Sequence, residues 1–193
     1  ALELIPDYLS ALLNEIDRCN RTMPVVDTVY FGGGTPSTLT PGQIERMLSR
    51  LRARFNVGST AEITLEINPG TVDKNKLSGY RSAGINRLNI GLQSLSDQTL
   101  RWLGRIHDAR QGVDTFRWAR QSGFDSIGID LIYGIPGQTE KQWAAELSAA
   151  ADLNAHHLSC YILTLEPGTP LSAAVEQGRI SPPDEMAVGE LFS

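Results

Sequence analysis

The chain has 193 residues, enough for one sizeable core, and its 41% hydrophobic and 20% charged residues are ordinary for a globular domain. A formal charge of −5, with no basic run beyond the scattered Arg50, Arg52 and Arg54, excludes the electrostatic footprint of a nucleic-acid or anionic-membrane binder and favours a small ligand. No apolar stretch approaches the roughly 18 residues of a membrane span, and ALELIPDYLSALL lacks the basic start and cleavage site of a signal peptide, so a cytoplasmic location is expected. Residues 6–20, PDYLSALLNEIDRCN, pattern a helix with Pro6 early and apolar residues at helical spacing, yet nothing before them supplies a partner for that face. A strand follows at 25–31, ending in Gly32-Gly33-Gly34-Thr35-Pro36-Ser37. The pattern continues with a helix at 41–54, a strand at 62–68, a helix at 73–83, a strand at 86–92, a helix in two pieces over 97–122, a strand at 126–133, a helix at 139–153 and a strand at 157–163. TPGQ (40–43) and PGQTE (136–140) open helices, while Gly84 and Gly123 close them. The last residues, PPDEMAVGELFS, begin a second amphipathic helix. The chain therefore reads as a piece of a larger protein, with 1–180 as a core and 181–193 leading toward a further domain.

Strand–helix alternation predicts a parallel sheet with helical crossovers. Within the strands, Ile63, Leu65 and Ile67 share one face and Glu62, Thr64, Glu66 and Asn68 the other; Leu88, Ile90 and Leu92 lie opposite Asn89, Gly91 and Gln93. Sheets buried on both faces favour continuous apolar runs. Strands with one polar, small-residue face fit the inside of an incompletely filled α/β barrel better.

Ligands in parallel α/β folds bind beyond the carboxyl ends of the strands. Those ends carry Gly32-Gly33-Gly34-Thr35, Glu66-Ile67-Asn68-Pro69, Gln93-Ser94, Asp130 with Tyr133-Gly134-Ile135-Pro136, and Thr164 with Glu166-Pro167-Gly168. Polar residues there also make ordinary turns and caps, so a single position decides nothing. Glu66 and Asp130 are more telling, because a carboxylate inside an apolar strand is costly unless something pairs with it. The glycine loop is no phosphate cradle, since no Lys-Ser or Lys-Thr pair follows it. A dinucleotide fingerprint needs a third glycine where Ser37 stands, and Pro36 and Pro41 delay the helix. Glu66, about 32 residues after Gly34, lies beyond the roughly 20 expected of the ribose-binding acid, which leaves nicotinamide binding a weaker alternative. Glycine carbonyls beside carboxylates suit a ligand with a cationic amine and hydroxyls, and Arg105 a carboxylate on it; an amino acid joined to a ribose matches.

GGGTPS, EINPGT, NRLNIGLQS, LGRIH, GIDLIYGIPGQT and LTLEPGTP, in that order from about 25 to 170, resemble the radical S-adenosylmethionine enzymes of the oxygen-independent coproporphyrinogen III oxidase group, with LGRIH, EINPGT and GLQS closest to its oxidase-like haem chaperones. The resemblance implies a partial (β/α)6 TIM-like barrel lacking its first strand, with S-adenosylmethionine and a [4Fe-4S] cluster at its mouth. It places Gly33, Gly34 and Thr35 at the methionine amine and Glu66, Gln93, Arg105 and Asp130 at cofactor-binding positions, Arg105 suited to the carboxylate and Gln93 or Asp130 to the ribose. Thr164 matches one further position. It implies haem chaperone function, with haem or a porphyrinogen and a haem-acceptor protein as partners; coproporphyrinogen III oxidation is the alternative. The group's CxxxCxxC motif has no counterpart here, and Cys19 and Cys160 cannot replace it. The cluster ligands and the haem-binding carboxyl-terminal domain are thus expected outside this chain, which should hold no metal or catalytic residue and be inactive alone.

The remaining residues read as structural. Cys19 and Cys160 are expected as free buried thiols, His107 as a cap or turn residue, and His156 and His157 without a metal. Trp102, Trp118 and Trp143 are expected to pack against strands.

Overall fold

The computed structural model describes residues 2–19, 25–181 and 185–191. Its elements alternate as the sequence predicts: α1 (Ile5–Arg18), β1 (Val26–Phe31), α2 (Pro41–Arg54), β2 (Val57–Ile67), α3 (Lys74–Ala83), β3 (Arg87–Gln93), α4 (Asp97–Trp102), α5 (Ala109–Gln121), β4 (Ser126–Tyr133), α6 (Glu140–Asp152), β5 (His157–Ile162), α7 (Pro170–Glu176) and α8 (Glu185–Leu191). Residue 20 of the first expected helix and parts of the expected 181–193 segment lie outside the described residues.

Local chemistry sets the helix starts. Thr40, Asp108 and Thr139 each accept from the backbone N–H three residues on, and Gln43, Gln111 and Gln142 reach back to the capping residue's own N–H. Each reciprocal pair satisfies two of the donors that a helix start leaves open. Gly84 ends α3 with φ +106, a left-handed backbone that a side chain would strain.

All five strands pair in parallel, in the order β1-β2-β3-β4-β5, and the sheet curls as a half-barrel. Ile63, Leu65, Ile67, Leu88, Ile90, Leu92, Ile127, Ile129 and Leu131 are buried on its convex side against Ile44, Met47, Leu48, Leu77, Tyr80, Phe116 and Trp143 of the helices. A fully buried Leu or Ile contributes about 2 kcal/mol, so this single layer between sheet and helices is the main source of stability. The concave face is polar. In-register neighbours there include Thr28 with Glu62, Tyr30 with Thr64, Glu66 with Asn89, Asn89 with Gly128, and Asp130 with Ser159. A Cβ at Gly128 would stand 2.5 Å from Asn89 Oδ1, so a larger residue on this face would force Asn89 to shift.

Two expectations shift and one helix is added. β2 begins at Val57, well before 62, since Val57 pairs with Val26 ahead of an irregularity before Thr28; Gly58 and Ser59 hide that start in the sequence. Asn68 has left the strand and opens a 3-10 turn over Pro69–Thr71. α7 went unpredicted, although Thr169 caps it with Pro170 in the first turn, as Thr40 and Pro41 do for α2.

The candidate cofactor cleft

At the carboxyl ends of the strands the concave face opens into a cleft of about 320 Å³. Gly34, Thr35, Glu66, Gln93, Arg105 and Asp130 line it, together with Tyr30, Asn68, Asn89, Gly91 and Tyr161. The fold thus gathers six of the eight predicted positions. Gly33 adjoins them, donating its N–H to Glu66 Oε2 at 3.1 Å. Thr164 stands apart, exposed beyond β5, with its hydroxyl 3.5 Å from the Ile162 carbonyl.

The three glycines serve different ends. Gly33 and Gly34 have φ +80 and +57, with open space where a Cβ would be. At Gly32 a Cβ would lie 2.6 Å from Tyr30 Cε1 and 2.9 Å from Glu66 Oε1, so that glycine makes room for the protein's own side chains. Ser37, which the sequence shows only as a displaced glycine, anchors the loop. It is fully buried, contacts Thr71 Oγ1 at 2.6 Å and accepts from Asn68 N at 3.0 Å. Its carbonyl accepts from Lys76 Nζ at 2.7 Å and Tyr80 Oη at 3.0 Å. The loop is therefore tied to the turn that follows β2.

Carboxylates and one guanidinium dominate the electrostatics. Glu66 accepts from Tyr30 Oη at 2.9 Å, and burial, then the Glu66 bond and charge, push the Tyr30 phenol up to about 12. Asp130 Oδ2 accepts from Asn89 Nδ2 at 2.6 Å. Burial raises the Asp130 pKa, the hydrogen bond from Asn89 opposes the rise, and Glu66 adds to it. Burial lowers that of Arg105, whose Nη2 lies 3.5 Å from the Gly91 carbonyl. Gln93 enters the cleft with φ +66, where the β3–β4 ladder is irregular between Ile90 and Gln93. Irregularities of this kind re-aim side chains next to functional sites.

Among the described residues, four buried side-chain polar atoms have no hydrogen-bond partner: Asn68 Oδ1, Arg105 Nε, His107 Nδ1 and Asp130 Oδ1. Three of the four belong to cleft residues. Acceptors from Asn68 and Asp130 and a donor from Arg105 are a set that a ligand with both hydrogen-bonding senses satisfies, and unpaired buried groups call for such an explanation.

The other predicted roles divide. His107 lies in the bend before α5, as a turn residue rather than the cap, which is Asp108; it is buried, its Nε2 lies 3.2 Å from the Leu92 carbonyl, and burial lowers its pKa. Trp143 stacks on Tyr133 with ring centroids 5.4 Å apart, and Trp118 packs on the core. Trp102 differs: it is exposed and lines a groove between α4 and α6, because its short helix lies at the mouth rather than along a strand. Cys19 and Cys160 are free but only half-buried, and Cys160 sits on β5, the last strand of the sheet. No group of three or more His, Cys, Asp or Glu side chains suited to a metal ion occurs among the described residues, and no helix there is long and apolar enough to cross a membrane. Sequence reading missed Glu146. From α6 this buried carboxylate accepts from Ser94 Oγ and from Leu95 N at 2.9 Å, fixing the segment after Gln93. Its only signal is an acid amid the apolar and alanine positions of a helix.

A parallel α/β half-barrel with a polar, carboxylate-rich cleft at the carboxyl ends of its strands defines a class of small-ligand-binding barrels. The model of the Radical SAM superfamily matches residues 7–149, and the chain belongs to that superfamily. It is similar to Heme chaperone HemW of Escherichia coli (strain K12), 40% identical over 165 residues that cover 84% of this chain and 44% of the relative. It is similar also to Radical S-adenosyl methionine domain-containing protein 1, mitochondrial, of Bos taurus, 36% identical over 167 residues, 86% of this chain and 38% of the relative. Among solved structures, coproporphyrinogen III oxidase (HemN) from Escherichia coli, a radical SAM enzyme, superposes with a TM-score of 0.83 at 31% identity, covering 99% of this chain and 44% of that one. The chain spans less than half the length of each of these three proteins.

Proposed function

We propose that this chain is the S-adenosylmethionine-binding core of an oxidase-like haem chaperone, a protein that binds haem and delivers it to an acceptor protein. The observation that carries the reading is the set of unpaired groups of Asn68, Arg105 and Asp130 around one cleft, in a chain 40% identical to a haem chaperone. Its donors and acceptors fit the amino-acid and ribose ends of S-adenosylmethionine. Gly33, Gly34, Thr35 and Glu66 take the ammonium end, where the glycine carbonyls and a carboxylate accept its protons, the Thr35 carbonyl being already engaged by Thr38 N and Oγ1 at 3.0 and 2.8 Å. Arg105 takes the carboxylate, to which a guanidinium donates in a fixed fork. Gln93 and Asp130 take the ribose hydroxyls, while Thr164 is left with no contact to assign. When bound, with a [4Fe-4S] cluster, this cofactor supplies radical chemistry by reductive cleavage of its sulfonium; the protein's part is to orient it and limit access of water. Cluster ligands are assigned to no described residue. The polar concave face holds the cofactor while the apolar convex face keeps the barrel rigid. A cytoplasm that keeps thiols reduced is the compartment that suits two free cysteines.

Haem titration of the full-length protein, with and without its cluster, tests the reading. Stoichiometric haem retention, with no protoporphyrinogen formed from coproporphyrinogen III under anaerobic, reducing conditions, is expected. Absence of haem retention would reject delivery as the function. The likeness to HemN favours oxidation of coproporphyrinogen III as the second reading, and protoporphyrinogen formation in the same assay would establish it.

A further inference from the structure

The polar contacts of Glu66 single out a residue that the sequence patterns leave unassigned. Tyr30, on β1, donates its hydroxyl proton to Glu66 Oε1 at 2.9 Å, while Gly33 N–H donates to Oε2 at 3.1 Å. One donor on each oxygen fixes the carboxylate plane of a side chain that otherwise turns about three bonds in a half-open cleft. The Tyr30 ring is 54% exposed, and its edge passes over Gly32, where a Cβ would stand 2.6 Å from Cε1. Tyr30, Gly32, Gly33 and Glu66 thus form one wedge at the glycine end of the cleft. A phenol has a single proton. With it given to Glu66, Tyr30 Oη turns only lone pairs toward further partners, so a ligand meets two acceptors here and no side-chain donor.

We propose that Tyr30 is a positioning and specificity residue: it orients Glu66 and, with it, selects a ligand group rich in protons, a primary ammonium, at this end of the cleft. The inference rests on the assignment of the cleft to S-adenosylmethionine and deepens it. A carboxylate or neutral ether at the same place would face acceptors alone.

The test uses full-length protein, with binding measured by equilibrium dialysis against two probes. S-adenosylhomocysteine carries the ammonium; 5′-methylthioadenosine shares the adenosine and lacks the whole amino-acid end. Tyr30→Phe keeps the ring and removes the hydroxyl. It is expected to weaken S-adenosylhomocysteine about 5- to 20-fold, at and below the lower end of the range for a hydrogen bond to a charged group because the site is half-open. The 5′-methylthioadenosine affinity should stay within about 2-fold, and in a Glu66→Gln background the same substitution should cost S-adenosylhomocysteine less than about 3-fold. Equal losses for both probes would mean a merely structural tyrosine and overturn the proposal. So would an unchanged S-adenosylhomocysteine affinity, or an undiminished loss in the Glu66→Gln background. If the unsubstituted protein binds neither probe, the cofactor assignment fails with it; if it binds both and Tyr30→Phe is silent, only the role of Tyr30 fails.

Discussion

Replacing Glu146 by Ala tests how the mouth of the barrel is held. Glu146 is 9% exposed and accepts from the Ser94 hydroxyl and from Leu95 N at 2.9 Å, both in the segment just past Gln93. Truncation leaves a backbone N–H and a hydroxyl without their acceptor in a segment where Ser94 is 1% exposed. At about 1–2 kcal/mol for each donor left unsatisfied, the loss is about 2–4 kcal/mol. For a chain of this size each kcal/mol lowers the melting temperature by about 2–4 °C, so a fall of about 4–16 °C is expected. Glu146→Gln should cost only about 1 kcal/mol or less. Its carbonyl can accept from Leu95 N and its amide can donate to Ser94 Oγ, which already accepts from Ser96 N at 3.0 Å. Urea unfolding followed by tryptophan fluorescence measures both, with Trp143 one turn away on α6. A loss below about 0.5 kcal/mol for Glu146→Ala would refute the reasoning. It would mean that water from the neighbouring groove of about 400 Å³ replaces the carboxylate at no cost.

Two further outcomes follow from the cleft. Arg105→Met is expected to weaken S-adenosylhomocysteine at least about 10-fold, and Arg105→Lys to recover only part of that, since a point charge cannot reproduce a two-pronged contact; equal affinity for the Lys variant and the wild type in equilibrium dialysis would count against the carboxylate assignment. Asp130 has a raised pKa from burial, so the folded chain binds its proton more tightly than the unfolded chain. The stability tied to this proton is present below the ordinary carboxylate range and is lost as pH rises through the folded-state value. Asp130→Asn should therefore stabilise the ligand-free chain at pH 7, with the gain shrinking as pH falls toward about 4, the ordinary aspartate value; urea midpoints that differ equally at both pH values would contradict this.

What the sequence made legible follows from which interactions are local. Helix starts were readable because Thr40, Asp108 and Thr139 bond to residues three positions away. The two faces of β2 and β3 were readable because strand geometry alternates side chains without regard to distant partners. Tyr30, Ser37 and Glu146 were not, because their roles exist only across 31 to 52 positions of sequence, from Ser37 to Asn68 and from Ser94 to Glu146. The start of β2 was hidden for a related reason: Val57 is a strand residue by virtue of Val26 beside it.

The glycine run shows the same division between local and distant contacts. Read alone, Gly32-Gly33-Gly34 offers a ligand three bare backbone positions. In the fold only Gly33 and Gly34 leave open space, while Gly32 yields to Tyr30 and Glu66. Family motifs thus locate the cleft, but the non-local contacts set its chemistry. Gly33 gives its N–H to Glu66, so the loop meets a ligand with carbonyls rather than with that donor. On the assignment proposed above, such an edge suits the ammonium end of an amino acid, and Arg105 is the guanidinium among the cleft-lining residues left for its carboxylate.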